Sequence, residues 1–146
     1  MRTAKRCSVV VLFVLACGMT AAQAQQAATS TISTITAEEL KAKMASNQPV
    51  LVVDVRAPEV FANSSTTVKG SYHFKVRHLK YRSQFPPFKD LPRNGEIVLY
   101  CTCPKDEASI AGAQILRESG FTNVRVLQGG WNEWMKAKGP VEPRAK

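Results

Sequence analysis

The sequence contains few cysteines, and their spacing excludes a disulfide framework. Two of its four cysteines, Cys7 and Cys17, lie in an N-terminal segment that we expect to be removed, and the other two, Cys101 and Cys103, are separated by one residue. A single C-x-C pair cannot cross-link distant parts of a chain, so the fold must be held by its hydrophobic core. With 146 residues, 45% of them hydrophobic, the chain has room for one such domain.

The sequence also lacks a dense run of lysine or arginine, and its aromatic residues are not interleaved with basic ones. No nucleic-acid-binding pattern results, although the net charge is +9. Removal of Arg2, Lys5 and Arg6 with the N-terminal segment leaves 17 of the 20 basic residues against 11 acidic ones, a net charge of +6. A surface of this charge attracts small anions.

The apolar run VVVLFVLA near the N-terminus is too short to span a membrane, which takes about 20 residues. It follows a basic start and precedes the small-residue sequence AQA, and this order predicts a signal peptide over 1–24. A flexible leader over 25–34 and a folded domain over 35–143 follow, in a protein that is periplasmic or secreted. FVLAC, which ends at Cys17, is an alternative lipoprotein site, so a membrane partner is expected only if Cys17 is lipidated.

Three short runs rich in β-branched residues predict strands, namely VLVVDV at 50–55, IVLYC at 97–101 and NVRVL at 123–127. The first two do not alternate polar and apolar residues, as is typical of parallel strands buried on both faces. Helices are predicted from TAEEL with Thr36 as N-cap, from DEASIAGAQILRESG ending at Gly120, and from WNEWMKAKG. The segments NSSTTVKGS and FPPFKDLPRNGE are predicted to be loops. Alternating strands and helices indicate an α/β fold with a parallel sheet.

Three segments resemble motifs of the rhodanese family of single-domain sulfurtransferases. ITAEELKAKMASNQPVLVVDVRAPEVF resembles the opening helix, first strand and D-V-R element of that family. IVLYC with ASIAGAQILRESGF resembles its active-site strand and helix, and VRVLQGGWNEWMKAKGPVE resembles its G-G-x-x-x-W element and closing helix. The resemblance covers residues 34–143 and implies a rhodanese-like doubly wound parallel sheet flanked by helices, with no cofactor.

The resemblance also implies a reaction. A cysteine at the carboxyl end of a central strand lies in a cradle of backbone N–H groups at a helix N-terminus, which is expected to depress its pKa and favour the thiolate. The thiolate takes the outer sulfur of an anionic donor such as thiosulfate, becomes a persulfide and passes that sulfur to a thiol or to cyanide. The expected partners are therefore a small anionic sulfur donor and a thiol acceptor or redox partner protein.

Two cysteines compete for the catalytic position. Cys101 directly follows IVLY, where the catalytic residue of the family belongs, whereas Cys103 stands at the family's spacing of five residues before Ser109. We favour Cys101, because the strand end sets the direction of the sulfur, and keep Cys103 as the second candidate. The remaining residues of the expected substrate-binding loop are Thr102, Lys105, Asp106, Glu107, Ala108 and Ser109.

This loop departs from the family pattern C-R-x-G-x-R-[ST]. Neither loop arginine is present, Lys105 is the only cation, and a proline replaces the glycine, which removes one N–H group. Asp106 and Glu107 oppose the binding of a dianion, although acidic residues also suit the first turn of a helix. Phosphoryl transfer needs an arginine at the end of the loop and is disfavoured, because no arginine occurs between Cys101 and Arg117.

The second cysteine leaves three alternatives open. One cysteine resolves the persulfide and forms a disulfide, or the pair binds a soft metal such as Cu(I) together with His73 or His78, or the domain is a catalytically silent binding module. A lone C-x-C is a poor metal signal, so no metal site is assigned. Asp54 and Arg56, in the D-V-R element, are expected to order the loops at the strand ends through hydrogen bonds and an ion pair.

Overall fold

A computed structural model of the protein describes residues 31–144. The expected signal peptide over 1–24, Cys17 and most of the expected leader lie outside the described residues. Within 31–144, no helix combines the length and the apolar character that crossing a membrane requires.

The described chain alternates strands and helices, as the sequence predicts. The helices are α1 (Ala37–Ala45), α2 (Pro58–Ala62), α3 (Leu79–Arg82), α4 (Glu107–Glu118) and α5 (Gly130–Lys136), with a 3₁₀ turn at Val76–His78 before α3. The strands are β1 (Ser33–Ile35), β2 (Val50–Asp54), β3 (Thr66–Val68), β4 (Tyr72–His73), β5 (Glu96–Tyr100), β6 (Val124–Leu127) and β7 (Val141–Pro143).

Five of these strands form one parallel sheet in the order β1-β6-β5-β2-β4. The three predicted strands are its centre, β6, β5 and β2. The structure differs from the sequence analysis at the edges: Ser33 and Thr34, which fall in the expected leader, pair with Arg125 and Val126 of β6. The segment NSSTTVKGS is not wholly loop either, since it contains β3, which pairs antiparallel with β7. Strands of two or three residues carry too little periodicity to be recognised without their partners.

The sheet is covered on both faces, which is what its unalternated strands require. On one face Val53, Leu99 and their neighbours pack against α3 and α4 through side chains that include Leu79 and Leu116. On the other face Val52, Val98 and Tyr100 pack against α1 and α5 in a second cluster with Leu40 and Trp134. The fold is therefore the doubly wound parallel sheet flanked by helices that the sequence predicts.

Two predicted helix boundaries are found where the sequence places them. Thr36 caps α1 by accepting a hydrogen bond from the Glu39 N–H at 3.1 Å. Gly120 has a positive φ of 96° directly after α4 and its C-cap Ser119, the left-handed conformation that favours glycine at this position. Both signals are local, so the sequence alone identifies them.

Candidate active site

The loop between β5 and α4 lies at the carboxyl edge of the sheet, where parallel α/β sheets bind ligands. It is anchored from the turn that precedes α5. The Trp131 N–H donates to the Cys101 carbonyl oxygen at 2.8 Å. Gly130 allows this approach because it has no side chain: a Cβ at this position would lie 2.2 Å from the same oxygen. The G-G-x-x-x-W element thus supports the cysteine loop directly.

The structure separates the two cysteines by burial. Cys101 has no exposed surface and belongs to the hydrophobic cluster beneath α4. Cys103 is half-buried and lines a cavity of about 370 Å³. Side chains alternate along a strand, so Cys101 points to the same face as Ile97 and Leu99, which is the core. The position of Cys101 at the strand end, for which we favoured it, therefore directs its sulfur inward. Cys103 is the cysteine that a ligand in the cavity would contact.

The cavity that contains Cys103 has a mostly apolar wall that also includes basic residues. Thr102 and Ala108, both from the expected substrate-binding loop, line it beside Cys103. Lys75 and Arg77, from the 3₁₀ turn region before α3, line it as well. The remaining wall comes from the segment after β2, at Val55, Arg56, Ala57 and Pro58, and from Val76. Cationic side chains therefore reach this cavity from outside the cysteine loop.

The other loop residues from the sequence analysis do not line this cavity. Lys105 is exposed, and its N–H donates to the Glu107 carboxylate at 3.3 Å. Asp106 accepts a hydrogen bond from the Gly129 N–H at 2.9 Å, which ties the loop to the α5 turn. Ser109 is fully buried, and its hydroxyl has no hydrogen-bond partner within the described residues. Helix α4 begins at Glu107, two residues before the position near Ser109 that the family spacing predicts.

The Cys103 thiol is less acidic than the resemblance implies. Burial raises its pKa, and a hydrogen bond with the Cys101 side chain and the negative charge of Glu107 raise it further. A hydrogen bond from the Ala108 N–H, in the first turn of α4, acts in the opposite direction. For Cys103 the expectation of a depressed pKa is therefore wrong, because burial, the neighbouring thiol and an acidic residue outweigh the helix terminus.

Asp54 and Arg56 form a buried ion pair at the end of β2. One Arg56 nitrogen, Nη2, lies 2.6 Å from Asp54 Oδ2, and both side chains are almost inaccessible to solvent. Arg56 Nε donates to both carboxylate oxygens, and the Arg56 N–H donates to Asp54 Oδ1 at 3.0 Å. Further bonds from the guanidinium to Ser64 and to the Thr66 carbonyl connect the pair to the chain that enters β3.

This ion pair is embedded in aromatic side chains that join it to the cysteine loop. The Tyr100 hydroxyl donates to Asp54 at 2.8 Å, and burial together with the Asp54 charge raises the pKa of Tyr100 to about 12. The Arg56 guanidinium lies over the Trp131 ring, 4.6 Å from its centroid. Trp134, three residues further on, packs fully in the core. Tyr100 immediately precedes Cys101, so its hydrogen bond to Asp54 connects the ion pair to the start of the cysteine loop.

His73 and His78 are not brought to the cysteines. His73 stacks on Phe61 with ring centroids 3.7 Å apart and hydrogen-bonds the Arg56 carbonyl oxygen. His78 is exposed and accepts from Arg77. Within the described part of the chain, no three side chains of the metal-binding types form a group that could hold an ion.

Sequence reasoning missed Lys75 and Arg77 as candidate site residues. The stretch HFKVRHLKYRSQ is basic, but nothing in its spacing indicates that it folds over a loop more than 20 residues further along the chain. Tyr100 was missed for another reason: it sits in an apolar strand, where a tyrosine signals only packing. The one signal in the sequence was a tyrosine in a strand expected to be buried, because a buried hydroxyl needs a hydrogen-bond partner.

Comparison with known families agrees with this architecture. The rhodanese-like domain family matches residues 36–137 of the chain. The chain therefore belongs to the rhodanese-like domain family. No curated protein matches the sequence significantly.

Solved structures show the same fold. The human single-domain sulfurtransferase TSTD1 is 25% identical, with 70% of this chain and 95% of that chain covered and a TM-score of 0.59. A protein of unknown function from Rhodopseudomonas palustris, called a possible tyrosine phosphatase, is 25% identical over 77% of this chain and 86% of that chain, with a TM-score of 0.63. The Alr3790 protein from Anabaena, at 24% identity, 74% and 80% coverage and a TM-score of 0.62, shares the fold.

Arg56→Met tests the ion pair. The substitution leaves the Asp54 carboxylate buried without its counter-charge, and we expect a loss of about 3–5 kcal/mol in the free energy of unfolding, measured by urea denaturation. Lys89→Met is the matched control, since Lys89 is exposed, and it should change stability by less than about 0.5 kcal/mol. Equal effects of the two variants would contradict a stabilising role for the pair.

Glu107→Gln tests the electrostatics of Cys103. Because the Glu107 charge raises the pKa of the Cys103 thiol, its removal should lower that pKa. The pKa is read from the rate of iodoacetamide alkylation at Cys103 as a function of pH. Glu118→Gln removes the same charge at the far end of α4 and should leave the pKa unchanged. A rise in the pKa, or equal shifts in both variants, would contradict the assignment.

Proposed function

We propose that the protein is a sulfurtransferase in which Cys103 carries the transferred sulfur as a persulfide. The observation that carries this proposal is the position of the Cys103 thiol, in a cavity with cationic side chains and with an N–H group of α4 on its sulfur. The Cys103 thiolate attacks the outer sulfur of thiosulfate, the bond between the two donor sulfurs breaks, and sulfite leaves. The persulfide then passes its outer sulfur to a thiol or to cyanide.

The charges around the cavity support an anionic donor. Lys75 and Arg77 contribute positive charge to its wall. The charge of Arg56 is largely balanced by Asp54, with which it forms its ion pair. In this arrangement Lys75 and Arg77 take over the part that the missing loop arginines play in the family pattern, since either source of positive charge attracts a small dianion.

The backbone of α4 supports the sulfur chemistry. The Ala108 N–H lies in the first turn of the helix, where N–H groups have no partner within the helix. It donates to the Cys103 sulfur in the free protein. The same donor is available to the charge that develops on the outer sulfur of the persulfide, so it stabilises the product of the first step.

The raised pKa of Cys103 determines how the reaction depends on pH. Only the thiolate attacks the donor, and a raised pKa leaves a small thiolate fraction at neutral pH. Persulfide formation should therefore be slow at neutral pH and should still be accelerating as the pH rises past the ordinary pKa of a thiol. The proposal places this reaction outside the cytoplasm, on the strength of the signal-peptide pattern and with a thiol protein as acceptor.

Sulfur transfer is favoured over phosphoryl transfer by the composition of the loop. A phosphatase of this fold uses an arginine in the loop to bind phosphate through two parallel hydrogen bonds. Residues 102–109 contain no arginine. Arg77 approaches from a different element and already bonds His78, so we assign it to attraction of the donor.

Mass spectrometry of the intact protein tests the proposal. The reduced mature domain is mixed with thiosulfate, and the adduct of one sulfur atom is expected in the wild type or in Cys101→Ala but never in Cys103→Ser. An adduct in Cys101→Ala together with its absence in Cys103→Ser identifies the nucleophile. Absence of any adduct in all three proteins, with thiosulfate and with a small persulfide donor, would show that the domain is a binding module instead.

Lys75→Gln together with Arg77→Gln tests the anion site. We expect the rate of persulfide formation with thiosulfate to fall by about three- to tenfold at low salt and the difference to shrink at high salt. Lys89→Gln removes an exposed positive charge that does not line the cavity and should leave the rate unchanged. An unchanged rate in the double variant would contradict the role of these two cations.

A further inference from the structure

The proposed sulfurtransferase reaction uses one cysteine and leaves Cys101 unexplained. Cys101 has no exposed surface, so a donor or an acceptor in solution cannot reach it. Its Sγ nevertheless makes polar contacts with the very residue that carries the sulfur. It accepts a hydrogen bond from the Cys103 N–H at 3.3 Å, and the interaction with the Cys101 side chain raises the pKa of the Cys103 thiol.

We propose that Cys101 resolves the persulfide on Cys103 and so makes the domain release sulfide. The Cys101 sulfur attacks the inner sulfur of the persulfide, which is Cys103 Sγ. A Cys101–Cys103 disulfide forms, the bond between the two persulfide sulfurs breaks, and the outer sulfur leaves as hydrosulfide with the electron pair of that bond and the proton of the Cys101 thiol. The two protein sulfurs are thereby oxidised and the transferred sulfur is reduced. This step rests on the proposed function, because it requires a persulfide at Cys103.

The local geometry favours an attack within the loop. The chain bends at Thr102, between the two cysteines, and in this bend the Cys101 sulfur contacts the backbone of Cys103 itself. The Cys103 N–H already points at the Cys101 sulfur and stabilises negative charge on it as it becomes the nucleophile. Burial of Cys101 keeps its sulfur away from donors and disulfides in solution, so the electrophile beside it is the persulfide on Cys103.

The cycle closes with a thiol reductant. A thiol in solution attacks Cys103 Sγ, the sulfur that lines the cavity, and Cys101 leaves into the position where the Cys103 N–H stabilises it. A second thiol completes the reduction. In the overall reaction, one thiosulfate and two thiols give one sulfite, one hydrogen sulfide and one disulfide. Closure of so short a loop gives a labile disulfide, which suits turnover by a thiol-disulfide partner protein.

A single turnover without added reductant tests this proposal. Reduced wild-type protein mixed with thiosulfate should release about one equivalent of sulfide, and its mass should end two hydrogens below that of the starting dithiol. Cys101→Ala should instead keep the mass of the persulfide, with sulfide release reduced at least about tenfold. Cys101→Val, which refills the buried volume, is a second variant should the alanine protein fold poorly, as monitored by circular dichroism. The rate of sulfide release should not depend on protein concentration, since the attack is intramolecular.

The outcomes separate this inference from the proposed function. A stable persulfide in the wild type, with no sulfide and no loss of hydrogens, would overturn the resolving role and leave the sulfurtransferase proposal intact. Sulfide release in Cys101→Ala at the wild-type rate would overturn it as well. If neither the wild type nor the Cys101 variants form any adduct or disulfide with thiosulfate or with a small persulfide donor, both proposals fail together.

Discussion

The buried ion pair between Asp54 and Arg56 is the constraint around which this edge of the sheet is arranged. Two charges removed from water are costly unless every hydrogen-bonding group finds a partner, and here the carboxylate accepts from Arg56, Tyr100 and Thr67. Asp54 ends β2, and its partners come from the segment directly after β2, from β5 and from β3, so satisfying one carboxylate places three strands relative to one another. Trp131 closes the set by stacking over the guanidinium while its N–H holds the cysteine loop. Alternative arrangements of the strand ends would leave buried charge unpaired.

Next to this ion pair, the charges of the cysteine loop differ from the family pattern, which has two arginines in the loop. Its own residues supply an acidic neighbour, Glu107, and a single exposed lysine, Lys105. Positive charge reaches the cavity from Lys75 and Arg77 instead. The thiol thus lies in a cavity lined by basic residues, yet its raised pKa does not favour the thiolate. Under the proposed function, such a site gives slow, pH-sensitive sulfur chemistry, and under the further inference the second thiol gives the sulfur a route that the family pattern does not require.

Local signals account for what the sequence predicted well. The strands β2, β5 and β6 are runs of β-branched and apolar residues, and Thr36 and Gly120 mark helix ends through hydrogen bonds and dihedral angles within a few residues. The edge strands could not be predicted, because a strand such as Tyr72–His73 exists only through its pairing with β2. The acidity of Cys103 was mispredicted for a similar reason. A helix terminus is visible in the sequence, whereas burial and the position of the Cys101 side chain are not.

By itself the sequence determined the family and the layered α/β fold, since three motifs in order specify the buried strands and the helices between them. It also limited the candidate nucleophiles of the predicted site to two cysteines, Cys101 and Cys103. Only the tertiary structure decided which sulfur faces the cavity, because side-chain alternation continues past Tyr100 and turns Cys101 into the core while the bend at Thr102 returns Cys103 to the surface. It likewise decided where the positive charge comes from, since the turn that bears Lys75 and Arg77 reaches the loop through packing of the chain and not through its order.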